Sequence, residues 1–277
     1  MGQPDGCHTE RIRGILVNAV LMREHFKMPA LDDVLPSLHN ARVFTKLDVK
    51  EAFWHVRLDE QSSLLTTMIT PFGRFRWARL PFGLSVSSEI FQKRLTDALD
   101  ELKGVICVAD NIIVVGRGDT QAEAEKDHSE NLSGLQNRCK EKNIKLNDAK
   151  AAIHQDKISF MGHRISAEGV QPDRSKVAEI LDMLPPSDVH GVRRLCGIVQ
   201  YLAKFMSNLA SDLEPIRALT KKDIVENWSR ECDEALNAVK RKVTNTPVLA
   251  YFNPEKELVQ QVDSSKDGLG AETLQFF

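Results

Sequence analysis

The chain has 277 residues, 42% hydrophobic and 27% charged, which excludes a disordered polymer and leaves room for roughly two domains of about 150 residues each. A net charge of -2 excludes a simple basic nucleic-acid-binding module, but not an enzyme whose acidic metal ligands cancel a basic groove. The start, MGQPDGCHTER, lacks the apolar core of a signal sequence, and no apolar run approaches the ~18 residues of a membrane span. A soluble, intracellular protein without a membrane partner is expected. Cys7, Cys107, Cys139, Cys196 and Cys232 form no C-x-x-C pair and have no zinc-like His spacing, so they read as reduced, mostly buried thiols.

In chain order, LDDVLPSL places Leu31, Val34, Leu35 and Leu38 at helical spacing, with Pro29 as the start signal. VFTKLDVKEAFWHVRL, residues 43–58, predicts a strand ending at Asp48, a short helix, and a return to extended chain. Turns follow at Pro71–Gly73 and Pro81–Gly83. A helix then opens at Ser87 as its cap and buries Ile90, Phe91, Leu95 and Leu99. GVICVADNIIVVG sets two β-branched runs on either side of Ala109-Asp110-Asn111, the pattern of a hairpin with polar residues at its tip.

Residues 119–142 predict a charged helix with one stripe through Leu132, Leu135 and Cys139, followed by a strand pair at KISFMGHRIS. Pro172, Pro185 and Pro186 punctuate the next stretch and place a domain boundary near residue 165. HGVRRLCGIVQYLAKFMSNL and NWSRECDEALNAVKRKVTN read as amphipathic helices. The last segment, from ELVQQVD onward, reads as a strand without a partner and hence an exposed apolar edge.

A lone Asp48 is an ordinary strand-end carboxylate, and Asp-Asn at a hairpin tip is ordinary turn chemistry. The combination is specific. LDVKEAF, then LPFGLSVSSEIFQ, then VADNIIVV, in that order, resembles the reverse transcriptase of gypsy-class LTR retrotransposons. NIKLNDAK, FMGHRISAEGVQPDRSKV, GVRRLCGIVQYLAKF and TPVLAYF extend the resemblance from about residue 18 onward.

The resemblance implies an α+β right hand: a palm with an antiparallel sheet backed by helices, incomplete fingers, a helical thumb, and a truncated RNase H-like piece. The expected divisions are fingers or approach segment 1–42, palm 43–165, thumb 166–222 and RNase H-like portion 223–277. By the same resemblance, Asp48 and Asp110, with the backbone carbonyl of Val49, bind two Mg2+ ions, with Mn2+ as the alternative cation, for in-line nucleotidyl transfer. Phe53 is implied as the gate against a 2'-hydroxyl, and Phe82 and Gly83 as the lining of the nucleotide pocket. Met161, Gly162 and His163 match the hairpin that positions a primer end. Arg193 and Arg194, with Lys204, lie in a stretch free of acids and are candidates for phosphate contacts. Asp263 matches the first RNase H carboxylate. Implied partners are an RNA template, a DNA primer and deoxynucleoside triphosphates, met in the cytoplasm, a virus-like particle or the nucleus.

Four departures qualify the activity. Asn111 stands where the second acid of an Asp-Asp pair belongs, and contributes a neutral oxygen without negative charge. Ahead of Asn18 the finger hairpin of the relatives is not recognisable, with Arg11 and Arg13 as its only remnants, and Ser88 replaces a Pro. Near the end, Glu272 falls in a position the family keeps apolar. The expectation is therefore an RNA-directed DNA polymerase impaired at Asn111 and in its fingers. The alternative is an inactive nucleic-acid-binding relic or a pseudogene product.

Overall fold

The computed structural model describes residues 18–19, 21–23, 25–220, 228–253, 255–265 and 268–275; for 265, 268–270 and 272 only the backbone is described. The readings of Cys7, Arg11, Arg13 and the Glu272 side chain lie outside this set. The chain divides into two compact units, 1–156 and 157–277. The strands from Lys157 onward pair among themselves and with the chain around Leu249, not with the preceding sheet.

In the first unit, helix α1 (Leu31–Val34) gives way to a 3-10 turn over Leu35–Leu38 instead of continuing as one helix. Pro36 is the cause, since it has no N–H to donate and its ring crowds the preceding turn. Strand β1 (Ala41–Asp48) runs into a 3-10 turn at Ala52–His55, as the sequence suggested. Helix α2 (Glu60–Leu65) and the small hairpin β2 (Met68–Thr70) and β3 (Gly73–Phe75) follow. Helix α3 (Ser87–Leu99) leads to β4 (Val105–Val108) and β5 (Asn111–Arg117), and α4 (Gln121–Glu141) to β6 (Ala152–Gln155).

The four long strands form one antiparallel sheet in the order β4-β5-β1-β6. Alternate residues of the two central strands, Leu47, Val49, Ile112 and Val114, meet Phe91, Leu95 and Leu99 of α3 and Leu135 and Cys139 of α4. Ile112 to Val115 are all fully buried, so the central strand is covered on both faces and reads as an unbroken apolar run. Ser87 does not cap α3. Val86 holds the cap position, and the buried Ser87 hydroxyl donates to the Pro81 carbonyl at 2.8 Å, tying the helix to the LPFG loop.

Helix α4 opens with a capping box between Thr120 and Glu123. Its buried stripe begins earlier than the apolar pattern suggested, at Ala124, His128 and Asn131. Gly116 permits the helix to lie this close to β5, because a Cβ there would sit 2.1 Å from the Ala124 carbonyl oxygen.

The second unit begins with an antiparallel meander, β7 (Lys157–Phe160), β8 (His163–Ser166) and β9 (Gly169–Pro172). The TPVLAYF segment returns along β9: Leu249 and Val170 exchange backbone hydrogen bonds of 2.8 and 2.9 Å, and the Tyr251 hydroxyl donates to the Ser166 carbonyl at 2.7 Å. Helices α5 (Arg174–Leu181), α6 (Val189–Tyr201), α7 (Leu209–Ala218) and α8 (Arg230–Thr244) complete it. The long helix expected from His190 to Leu209 ends at Tyr201 and restarts after Asn208, whose φ of 54° is left-handed. The final strand is not unpaired. β10 (Val259–Ser265) pairs antiparallel with β11 (Gly268–Leu274) in a two-stranded ribbon.

Candidate active site

The β1–β5 register brings together residues far apart in sequence. Asp48, the last residue of β1, lies directly opposite Asn111, the first of β5, so both side chains share one face of the sheet. Leu47 and Val49 face the helices, and the alternation turns Asp48 to the other side. Asp110 occupies the two-residue turn between β4 and β5, exposed, while Asp48 and Asn111 are half-buried. The Val49 amide donates to the Asp110 carbonyl at 2.7 Å, which fastens the turn to the end of β1.

Asn111 is not a silent replacement. Its Nδ2 donates to Asp110 Oδ1 at 3.0 Å, so the amide binds the very carboxylate that an aspartate would repel. Asp48 and Asp110 offer carboxylate oxygens at the end of β1 and in the adjoining turn. That suits a hard divalent cation such as magnesium, which takes one or two protein carboxylates and completes its shell with water and phosphate oxygens. Among the described residues no group of three or more His, Cys, Asp or Glu side chains is placed to cage a metal.

Sequence reasoning missed what shapes this turn. Ala109 has φ 53°, left-handed backbone that costs a non-glycine residue about 1–2 kcal/mol. The fully buried Gln92 of α3 holds it there. Its Oε1 accepts from the Ala109 amide at 2.6 Å, and its Nε2 donates to the Cys107 carbonyl at 3.1 Å and the Thr96 hydroxyl at 3.1 Å. The available signal was a glutamine on the same helical stripe as Leu95 and Leu99.

Phe53 sits half-buried in the 3-10 turn after Asp48, 5.0 Å from the ring of Phe82 and 5.8 Å from that of Phe91. One edge therefore joins the core and the other faces the exposed Phe82. Gly83 has φ 87°, backbone that favours glycine, and a Cβ there would meet no protein atom within 4 Å, so this loop face is open. Asn18 clamps this loop, donating to the Gly83 carbonyl at 3.0 Å and accepting from the Ser85 amide at 2.8 Å.

In the second unit, Met161 and Gly162 form the turn of the β7–β8 hairpin, both with positive φ. His163 is buried. Its Nδ1 lies 2.7 Å from the Met161 carbonyl, and its ring packs between Tyr201 and Phe205. The Tyr201 hydroxyl also donates to the Met161 carbonyl. His163 thus braces the hairpin from inside, and Met161 and Gly162 form its outer tip. Arg193 and Arg194 are exposed on α6, opposite the buried Val192, Leu195 and Val199, and Lys204 lies over the Phe205 ring. Asp263 is exposed on β10, opposite Gly270.

A helix-backed antiparallel sheet with Asp48 at a strand end opposite a polar hairpin turn is the arrangement expected of a polymerase palm. Residues 9–165 match the family model for reverse transcriptase (RNA-dependent DNA polymerase), and residues 228–276 match the RNase H-like domain found in reverse transcriptase. The chain belongs to the reverse transcriptase family.

The Pol polyprotein of transposon 412 from Drosophila melanogaster is 32% identical over 257 residues, 92% of this chain and 20% of that protein. The Tf2-7 polyprotein of Schizosaccharomyces pombe is 27% identical over 89% of this chain and 18% of its own length. The enzymatic polyprotein of cauliflower mosaic virus is 28% identical over 92% of this chain and 37% of its own. The chain thus spans about a fifth of the transposon polyproteins it matches, which accord with the gypsy-class motifs. A foamy viral protease-reverse transcriptase solved with double-stranded DNA superposes with a TM-score of 0.85 at 18% identity, over 95% of this chain and 46% of that one. A foamy viral protease-reverse transcriptase with an RNA/DNA hybrid gives 0.79. Among the described residues no helix is long and apolar enough to cross a membrane.

Proposed function

We propose that this chain is the polymerase portion of a retrotransposon Pol polyprotein and extends a DNA primer on an RNA template. The observation that carries this reading is the β1–β5 register, which sets Asp48 against the Asp110–Asn111 turn. Asp48 and Asp110, with the Val49 carbonyl, hold Mg2+ or Mn2+. When bound, the cations lower the barrier to attack by the primer 3'-hydroxyl and offset the charge of the departing pyrophosphate. Gln92 and the Val49 amide keep the turn in place, and Phe53 excludes a 2'-hydroxyl from the incoming deoxynucleoside triphosphate. Asn111 leaves the site one negative charge short, which lowers the rate.

In this reading residues 1–42 are the fingers or approach segment, 43–165 the palm, 166–222 the thumb and 223–277 the RNase H-like portion. Met161 and Gly162 meet the primer, Arg193 and Arg194 meet backbone phosphates, and Asp263 is the first acid of the RNase H-like portion. The nucleic acids bound to the foamy viral enzymes support a primer-template partner here. The work would be done inside the cell, in the cytoplasm, a virus-like particle or the nucleus. The test is extension of a labelled DNA primer on an RNA template with magnesium, beside Asp110→Ala. Extension by the parent and none by the variant supports the reading; equal extension by both, or none by the parent at any magnesium or manganese concentration, removes it.

A further inference from the structure

A second feature of the first unit is independent of Asp48 and Asp110. Between the 3-10 turn at Ala52–His55, helix α3 and the chain leaving α4 lies a cavity of about 450 Å³. Lys50, Arg57, Arg79, Arg94, Lys142 and Lys145 line it, with Glu51 as the one carboxylate. Among the described residues none of these six cations is within ion-pair distance of an acid. In a chain with 39 acids to 37 bases, a six-to-one cluster is a local inversion of charge. Like charges gathered around a concave, partly apolar surface repel one another and focus a positive potential into it, which an anion relieves.

Apart from His55 and Asn143, the remainder of the lining is apolar. Phe91, Leu95 and Ala98 of α3 form one wall, and Trp54, 40% exposed and 6.4 Å from the Trp77 ring, stands at the edge. A cationic rim over an apolar wall, in a volume of the size small-molecule sites use, suits a flat heterocycle that carries several phosphates. We propose that this cavity binds a nucleoside polyphosphate, with the base against the α3 wall and Trp54 and the phosphates among the cations. The carboxylates of Asp48 and Asp110, and Asn111, Phe53 and Phe82, are absent from the lining, which shares only Val49 with the acidic site, so the cavity adjoins that site without containing its carboxylates.

The experiment is calorimetric titration of the full chain with adenosine triphosphate in EDTA. The parent is compared with Arg94→Glu/Lys145→Glu, the milder Arg94→Gln, and Asp110→Ala, each checked for unchanged melting. Saturable binding by the parent is expected. Double charge reversal should weaken it about tenfold or more, Arg94→Gln should weaken it less, and Asp110→Ala should leave it intact. Binding that ignores the charge reversals, or that is lost in Asp110→Ala, overturns the proposal. So does absence of adenosine triphosphate binding while a short single-stranded oligonucleotide binds and responds to the same reversals, because the cations then serve strand phosphates. The two cationic positions lie outside the residues assigned to nucleotidyl transfer, so this result and that of the primer-extension test are separable.

Discussion

Asn111→Asp should make the fold less stable without divalent cations and more responsive to them. In the parent, Asn111 Nδ2 donates to Asp110 Oδ1 at 3.0 Å. The variant replaces that donor with a third carboxylate beside Asp110 and opposite Asp48. Two unit charges about 4 Å apart repel by ~1 kcal/mol in water and ~4 kcal/mol at an effective dielectric constant of 20. Asp110 is exposed, so the lower figure is the closer, and the lost hydrogen bond adds about 1 kcal/mol. A loss of about 2 kcal/mol lowers the melting temperature of a unit of this size by roughly 4–8 °C. Calorimetry in EDTA and then in millimolar magnesium should show that fall and its reversal, whereas the parent shifts little. Primer extension should rise on the order of 10²-fold, the scale on which single electrostatic groups act in such sites. Equal melting of parent and variant in EDTA, or equal magnesium shifts for both, would refute the reasoning.

Three further outcomes follow from buried or aromatic groups around the same sheet. Burial, with a smaller push from the His154 charge, lowers the pKa of His128 from 6.5 to about 4, and its Nδ1 has no partner. The unfolded chain therefore takes up a proton between pH 6.5 and 4 that the folded one refuses, so stability holds above about pH 6.5 and falls by roughly 2 kcal/mol as pH drops through that window. Denaturant titrations across pH 4–7 should show this slope and its loss in His128→Gln. Gln92→Leu strips partners from the Ala109 amide and the Cys107 carbonyl and should cost about 2–3 kcal/mol. It should also reduce extension at least as much as Asn111→Asp raises it, with primer-template affinity unchanged in a binding assay. Phe53→Val should leave deoxynucleotide incorporation measurable while raising ribonucleotide incorporation about tenfold or more, read from paired single-nucleotide kinetics. An unchanged ratio would return Phe53 to a packing role alone.

The palm sheet was legible because its signals are of the kind that period and turn chemistry report. Leu47 and Val49 alternate with Asp48, the β-branched runs flank Ala109-Asp110, and Phe91, Leu95 and Leu99 keep helical spacing. Less legible were features decided by polar side chains in buried places. Gln92, His128 and Asn131 occupy core-facing positions that an apolar count skips, and their value depends on backbone groups from other strands, namely Cys107, Ala109 and Val115, and on the Thr45 hydroxyl. Ser87 looked like a cap because of its residue type, yet the LPFG loop competes for its hydroxyl.

The hydrogen bond from Asn111 to Asp110 also bears on what persistence of this fold can mean. A site with adjacent aspartates stores repulsion that a bound cation relieves, so its stability is linked to cation concentration through the affinity of the folded state. An asparagine removes the repulsion internally and loosens that link. The sheet, the Gln92 brace and the packing of α3 and α4 can then remain intact whether or not the site turns over. Stability alone consequently says nothing about catalysis in this chain. The quantity that distinguishes a slow polymerase from an inert one is how strongly magnesium, in the presence of primer, template and deoxynucleotide, still stabilises the parent relative to Asp110→Ala. A difference of even 1 kcal/mol corresponds to about a fivefold preference for the intact site and means that Asp110 still binds the cation. No difference means that the amide has taken over the carboxylate it was placed beside.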